Sequence, residues 1–110
     1  MERTEKPWGY EELIELNEFY VVKKLFMKKG QRCSLQYHHE KTETVTALDG
    51  VLTLSVSDET ITLRPFETIT ITPGTHHRMM AINGDCLYME SSTIQLNDVV
   101  RIEDDYGRDT

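Results

Sequence analysis

The sequence predicts an all-β chain, folded as one antiparallel sandwich or barrel. About nine or ten short runs rich in β-branched and aromatic residues recur at close, even spacing, separated by Gly, Pro, Asn, Asp and Ser. The clearest of them, 51–56 (VLTLSV) and 68–72 (TITIT), alternate apolar and polar residues. No segment carries a convincing helical period. The 110 residues fit a single domain, 1–110, with a modest core. There is no linker or low-complexity tract.

Taken in order, residues 8–17 (WGYEELIELN) contain helix-favouring Glu and Leu, but Pro7, Gly9 and the short run before Asn17 favour a strand. Residues 19–27 (FYVVKKLFM) form a second strand ending before Gly30. Along it Phe19, Val21, Leu25 and Met27 share one face, and Lys23 falls among them. A lysine on an apolar face either snorkels past the edge or reaches into a pocket. Strands follow at 33–38 and 43–48, then Asp49-Gly50, a strong hairpin dipeptide, leads into 51–56. Ser57-Asp58-Glu59 turns the chain into 60–64, and Pro65-Phe66-Glu67 into 68–72. Pro73-Gly74 and Asn83-Gly84-Asp85 bound the strand at 76–82, and 86–90 follows. A last short strand at 99–102 precedes a polar surface tail. Trp8, Tyr10 and Tyr106 read as packing residues that cover a sheet edge or a subunit contact.

The net charge of −7 argues against general nucleic-acid binding, which needs Lys and Arg to meet phosphates. The charge is uneven. Lys23, Lys24, Lys28, Lys29, Arg32 and Lys41 crowd into one segment, whereas acids gather at the ends, from Glu2 to Glu18 and at Glu103, Asp104, Asp105 and Asp109. A small anionic ligand is compatible with that distribution. No run of ~18 apolar residues exists to cross a membrane as a helix. The first residues are charged and lack an apolar leader core, so a cytoplasmic location is expected. Cys33 and Cys86 lie far apart in no CxxC pattern and read as buried thiols in a reducing compartment.

The chemistry concentrates in residues 30–50, GQRCSLQYHHEKTETVTALDG. Gln36 and His38 are two apart, so on a strand they point to one face. Glu43 follows a short polar run, and a turn there brings its carboxylate back beside them. Imidazole, amide oxygen and carboxylate on one face make half of a metal site. His77, after the Pro73-Gly74 turn, shares its face with Met79 and Ala81 and is the candidate for the missing ligand. A lone histidine on an apolar face is commonly a core residue; three donors on another strand reverse that reading.

The spacing of Gly30, Gln36, His38, Glu43 and Gly50 resembles the first motif of the cupin superfamily, with Gln in place of its first histidine. The segment 73–77 (PGTHH) resembles the second. The stretches KPWGY, VVKKL, GQRCSLQYHH, TPGTHHR and VVRIEDDYGR resemble, in order, the C-terminal cupin domain of type II mannose-6-phosphate isomerases, which in many bacteria follows a GDP-mannose pyrophosphorylase. The resemblance implies a jelly-roll barrel, or double-stranded β-helix, with one divalent metal in its mouth. It implies metal ligands at Gln36, His38, Glu43 and His77, with zinc the usual metal and manganese, iron, cobalt or nickel as alternatives. It further implies interconversion of mannose 6-phosphate and fructose 6-phosphate. Where that family reads His-His-His-Arg-x-Glu-His-Trp, this chain has Glu40, Lys41, Thr44 and Val45 in place of the third His, the Arg, the last His and the Trp. Phe66 stands where its turn commonly has glycine, and Ala81 where the second motif ends in asparagine.

Isomerisation also needs a base and a phosphate anchor. Lys23 is the candidate proton shuttle or anchor, with Glu40 a lesser candidate base. Arg32, on the Gln36 and His38 parity, and Arg78, beside His77, are the candidate arginines. A sugar phosphate is therefore the expected small-molecule partner, with no nucleic acid or membrane. A homodimer is expected because small open barrels have sheet edges to cover. The alternatives are another metal-cupin enzyme such as an oxygenase, or a non-catalytic sugar-binding module.

Overall fold

The computed structural model describes residues 2–108, so Asp109, counted among the tail acids, lies outside the described residues. The strands run in order β1 (Glu2–Lys6), β2 (Gly9–Leu16), β3 (Val21–Met27), β4 (Leu35–Tyr37), β5 (Glu43–Asp49), β6 (Leu52–Val56), β7 (Glu59–Leu63), β8 (Thr68–Ile71), β9 (His77–Met80), β10 (Cys86–Ser92) and β11 (Val100–Glu103). Among the described residues, no helix is long and apolar enough to cross a membrane. Two antiparallel sheets result: β1-β2-β3-β10-β5-β8 and β11-β4-β9-β6-β7. Consecutive strands alternate between these sheets along much of the chain, which is the winding of a jelly-roll barrel.

The inner faces meet in a core of Leu25, Met27, Val45, Ala47, Leu52, Leu54, Met79 and Tyr88. Alternation puts them there: β5 buries Glu43, Val45 and Ala47, and β3 buries Val21, Leu25 and Met27 with Lys23 half-buried among them. Both cysteines are buried and free. Burial pushes the Cys33 thiol up to about 12 and the Cys86 thiol up to about 11.

The Asp49-Gly50 turn is tied to a distant one. Gly50 has φ +81°, and a Cβ there would stand 2.4 Å from the Asp85 carbonyl oxygen. Only glycine tolerates both the backbone angle and that approach. Phe66, where a glycine is usual, does adopt a left-handed backbone (φ 71°).

Two expectations need correction, and one strand carries no sequence signal. The charged N-terminus forms β1, an edge strand that offers no period-2 apolar signal because its burial pattern is almost wholly exposed. Cross-strand ion pairs to β2 hold it, Arg3 to Glu12 at 3.4 Å and Lys6 to Glu11 at 3.1 Å. Trp8, in the turn between β1 and β2, is buried in the core rather than covering an edge, its carbonyl accepting the Lys28 N–H at 2.9 Å. Phe19 lies outside β3 and is 75% exposed, so it does not continue the apolar face of Val21 and Leu25.

The tail is anchored rather than loose. The single Tyr106 hydroxyl proton is shared between Gln31 Oε1 (2.8 Å) and the Arg32 carbonyl (2.9 Å). Arg108 makes a two-pronged ion pair with Asp104 at 2.9 and 3.0 Å. That pair and the Arg108 backbone N–H hold the Asp104 carboxyl down at about 2.

Candidate metal centre

Strand pairing assembles the site. Gln36 on β4 lies directly opposite His77 on β9. His38 sits just past the end of β4, and Glu43 opens β5. Between them the chain must reverse within four residues, and Asp98 makes this possible. Its carboxylate accepts the backbone N–H groups of His39 (2.9 Å), Glu40 (2.7 Å) and Lys41 (3.0 Å). These N–H groups hold the Asp98 carboxyl down at about 2. The turn inferred from the polar run is therefore real, and a residue sixty positions away from His38 fixes it.

The two imidazoles converge on one carboxylate oxygen. His38 Nε2 lies 3.1 Å and His77 Nε2 3.0 Å from Glu43 Oε1. All three side chains are at most 2% exposed. One donor atom from each lies within 4.8 Å of the others, a spacing that suits a single ion. Each ring's other nitrogen faces a backbone carbonyl: His38 Nδ1 that of Asp98, and His77 Nδ1 that of Thr75 at 2.8 Å. Carbonyls only accept, so both Nδ1 atoms carry protons and each ring turns its Nε2 toward Glu43. A cation placed between them would take one Nε2 lone pair from each ring and the Glu43 oxygen together. His77 Nε2 is fully buried and, despite its closeness to Glu43, makes no hydrogen bond. The residues fit a metal: carbonyl-oriented imidazoles around a buried carboxylate are the supporting arrangement of metal-binding histidines.

Gln36 borders the same cavity as His38, and its Oε1 accepts the Ser34 hydroxyl at 2.7 Å, leaving a second lone pair. Two imidazole nitrogens, one carboxylate and one amide oxygen suit zinc and its first-row neighbours. Burial alone would raise the Glu43 carboxyl. The His38 and His77 contacts and the Lys41 charge outweigh it and hold Glu43 well below the usual range.

Beside the site opens a cavity of about 510 Å³, bordered by Gln36, His38, Lys23, Lys41, Glu90 and Arg108 among others. Lys23 Nζ points to Glu11 Oε2 at 3.1 Å, and Lys6 takes the other oxygen. Glu11 would be raised by burial, but Lys23 and Lys6 hold it low. Burial and the Glu43 charge push the Glu90 carboxyl up to about 8, against the pull of Lys41 and Lys23.

The two arginines singled out from sequence lie elsewhere. Arg32 is not on the cavity wall; its guanidinium grips Asp105 at 2.7 and 2.9 Å. Its parity with Gln36 fails because residues 33 and 34 precede β4, where Arg32 makes only an isolated bridge to Met80. Arg78 is buried on the opposite face from His77, donating to the Cys33 carbonyl (2.8 Å) and the Glu103 carbonyl (3.2 Å). It ties the tail down. Glu40 is exposed. Lys41 and Glu90 went unrecognised as cavity residues. Lys41 sits in a turn without parity, and Glu90 shares its alternation with Tyr88 and Cys86, which read as plain core.

Comparison with known proteins agrees with this architecture. Residues 2–105 match the family described as mannose-6-phosphate isomerase C-terminal. The chain is 34% identical over 107 residues to the mannose-1-phosphate guanylyltransferase ManC of Salmonella typhimurium, covering 94% of this chain and 22% of that protein. It is 31% identical over 109 residues to the xanthan biosynthesis protein XanB of Xanthomonas campestris pv. campestris, covering 94% of this chain and 23% of that protein. The chain thus spans under a quarter of the length of these relatives. Among solved structures, a cupin-2 domain protein from Rhodospirillum rubrum superposes with a TM-score of 0.75 at 13% identity, over 82% of this chain and 62% of that one. The ordered match of sheets and sequence places the chain in the mannose-6-phosphate isomerase C-terminal family, with the cupin fold.

Proposed function

We propose that the chain is a metal-dependent sugar-phosphate isomerase that interconverts mannose 6-phosphate and fructose 6-phosphate in the supply of polysaccharide precursors. The observation that carries this is the convergence of His38 and His77 Nε2 on Glu43 Oε1 at the side of a cavity lined by cations. Gln36, His38, Glu43 and His77 would hold one divalent ion, zinc being the simplest choice for this donor set. When bound, that ion supplies Lewis-acid stabilisation of negative charge developing on the sugar's C1 or C2 oxygen.

The protein's own residues do the rest. Asp98 and Thr75 carbonyls fix the imidazoles so that both Nε2 atoms face inward. Lys23 and Lys41 line the cavity and present positive charge to a phosphate, with Arg108 on the same wall. Three of the departures from the family pattern lie off the cavity wall. Glu40 is exposed, Thr44 bonds Thr70 and Val45 is core, and none of the three borders the cavity. Lys41 does border it and keeps a positive charge where the family has arginine.

The test is a coupled assay of purified protein loaded with zinc, manganese or cobalt, with mannose 6-phosphate and other aldose phosphates. Turnover that chelation abolishes is expected. Failure to turn over any aldose or ketose phosphate while one equivalent of metal is bound overturns the proposal and leaves a sugar-binding module.

A further inference from the structure

We infer that Glu90 is the catalytic carboxyl group that carries the proton between C1 and C2 of the sugar phosphate, an assignment that rests on the isomerase reading. Glu90 on β10 lies directly opposite Lys23 on β3 and Val45 on β5. Val45 and Glu43 share one face of β5, so Glu90 is the diagonal neighbour of Glu43, roughly 7–8 Å away between Cα atoms. It borders the same cavity as Gln36 and His38. The pairing register thus places a carboxyl group beside the ligands yet outside their set.

What sets Glu90 apart is that only the charges of Lys41 and Lys23 pull on it, without a direct ion pair. It is 9% exposed, and among the described residues it makes no hydrogen bond or ion pair. Lys23 is turned to Glu11, and Lys6 and Lys23 together satisfy Glu11. Glu43 is taken by the two histidines. Glu2, the cavity's other carboxyl, is exposed on the edge strand. On its own face Glu90 is flanked by the core residue Tyr88 on one side and half-buried Ser92, opposite Glu43, on the other. A buried carboxyl without a partner costs stability, and such groups concentrate at functional sites.

The step balances without a co-reactant. A Glu90 carboxylate oxygen takes the proton from C2 of the open-chain aldose. The C2–H electron pair becomes the C1=C2 double bond, and the C1=O π pair moves onto O1. The O2 proton passes to O1. Glu90 then returns its proton to C1, which takes the C1=C2 pair, while an O2 electron pair forms C2=O. The ketose leaves and Glu90 is again a carboxylate.

The test compares wild type with Glu90→Gln, which keeps the size and removes the charge. Both are loaded with metal and incubated with mannose 6-phosphate in deuterated water, and deuterium at C1 and C2 is followed by proton NMR. Calorimetry with a non-isomerisable hexitol phosphate reads binding independently of turnover. The expected result is that E90Q loses about 10²–10⁴-fold in turnover and exchange, the usual worth of a positioned base. It should keep one equivalent of metal and bind the hexitol phosphate as wild type does. Turnover within threefold of wild type overturns the assignment and leaves the isomerase reading standing. Parallel loss of metal or of hexitol phosphate binding overturns it by making Glu90 a binding or folding residue. No exchange by metal-loaded wild type overturns both readings.

Discussion

Replacing His77 with alanine removes one of the two imidazoles that meet at Glu43, together with the Nδ1–H bond to the Thr75 carbonyl. The metal-free variant loses stability because the ring is fully buried, so the absolute melting temperature is a poor readout. The informative quantity is the gap between metal-loaded and chelated protein. A ligand that binds only the folded state stabilises it by RT ln(1 + [L]/Kd), about 2.7 kcal/mol when the metal is at 100 times Kd. For a domain of this size that is a gap of roughly 10–20 °C. Losing a direct donor should weaken binding at least as much as losing a supporting contact, at the top of the 10–100-fold range. At the same metal concentration the variant then gains only about 0.4 kcal/mol, a gap of roughly 2–3 °C. Differential scanning calorimetry with and without chelator, alongside elemental analysis, reads both numbers. An H77A protein that keeps one equivalent of metal and the full wild-type gap refutes the ligand assignment.

Asp98→Ala should raise the metal dissociation constant about 10–100-fold, because the three N–H bonds to its carboxylate set the turn that carries His38; an unchanged calorimetric titration contradicts this. Phe66→Gly should stabilise the protein by about 1 kcal/mol, since a left-handed backbone costs a non-glycine residue about that much. Urea unfolding checks it, and a lower midpoint refutes it. In chelated protein, Glu90 is held at about 8 against about 4.3 in the unfolded chain. The native state therefore keeps a proton that the unfolded chain has lost, so this contribution is complete below about pH 4.3 and declines as pH rises to about 8. Stability should fall by up to about 1.4 kcal/mol per pH unit in that window. Glu90→Gln should remove that slope, and an identical slope in the variant contradicts the assignment of the shift.

The strand pattern was legible because alternation and turn dipeptides are local signals. From 19–27 onward nearly every expected strand appears, with ends shifted by a few residues. β1 was not legible, since an edge strand of charged residues is held by cross-strand ion pairs rather than by a buried face. The site divides the same way. Gln36, His38 and His77 follow from parity and from the turn before β9, and the structure brings His38, His77 and Glu43 together. Arg32 was misjudged because parity does not extend beyond the end of a strand. Lys41, Glu90 and Asp98 carry no local pattern at all. Their roles come from pairing between β10, β5 and β3, and from a segment near residue 98 folding back over the turn at 39–41. Arg78 and Tyr106 likewise acquire their roles only when the tail closes over residues 31–33.

A single measurement joins metal to chemistry: conversion of mannose 6-phosphate by protein carrying one equivalent of metal, followed before and after chelation and again after metal is restored. The convergence of His38, Glu43 and His77 beside a cationic cavity leads to fructose 6-phosphate formation that stops on chelation and returns with the metal. Conversion that continues unchanged in fully chelated protein, or none by the fully loaded protein, contradicts it.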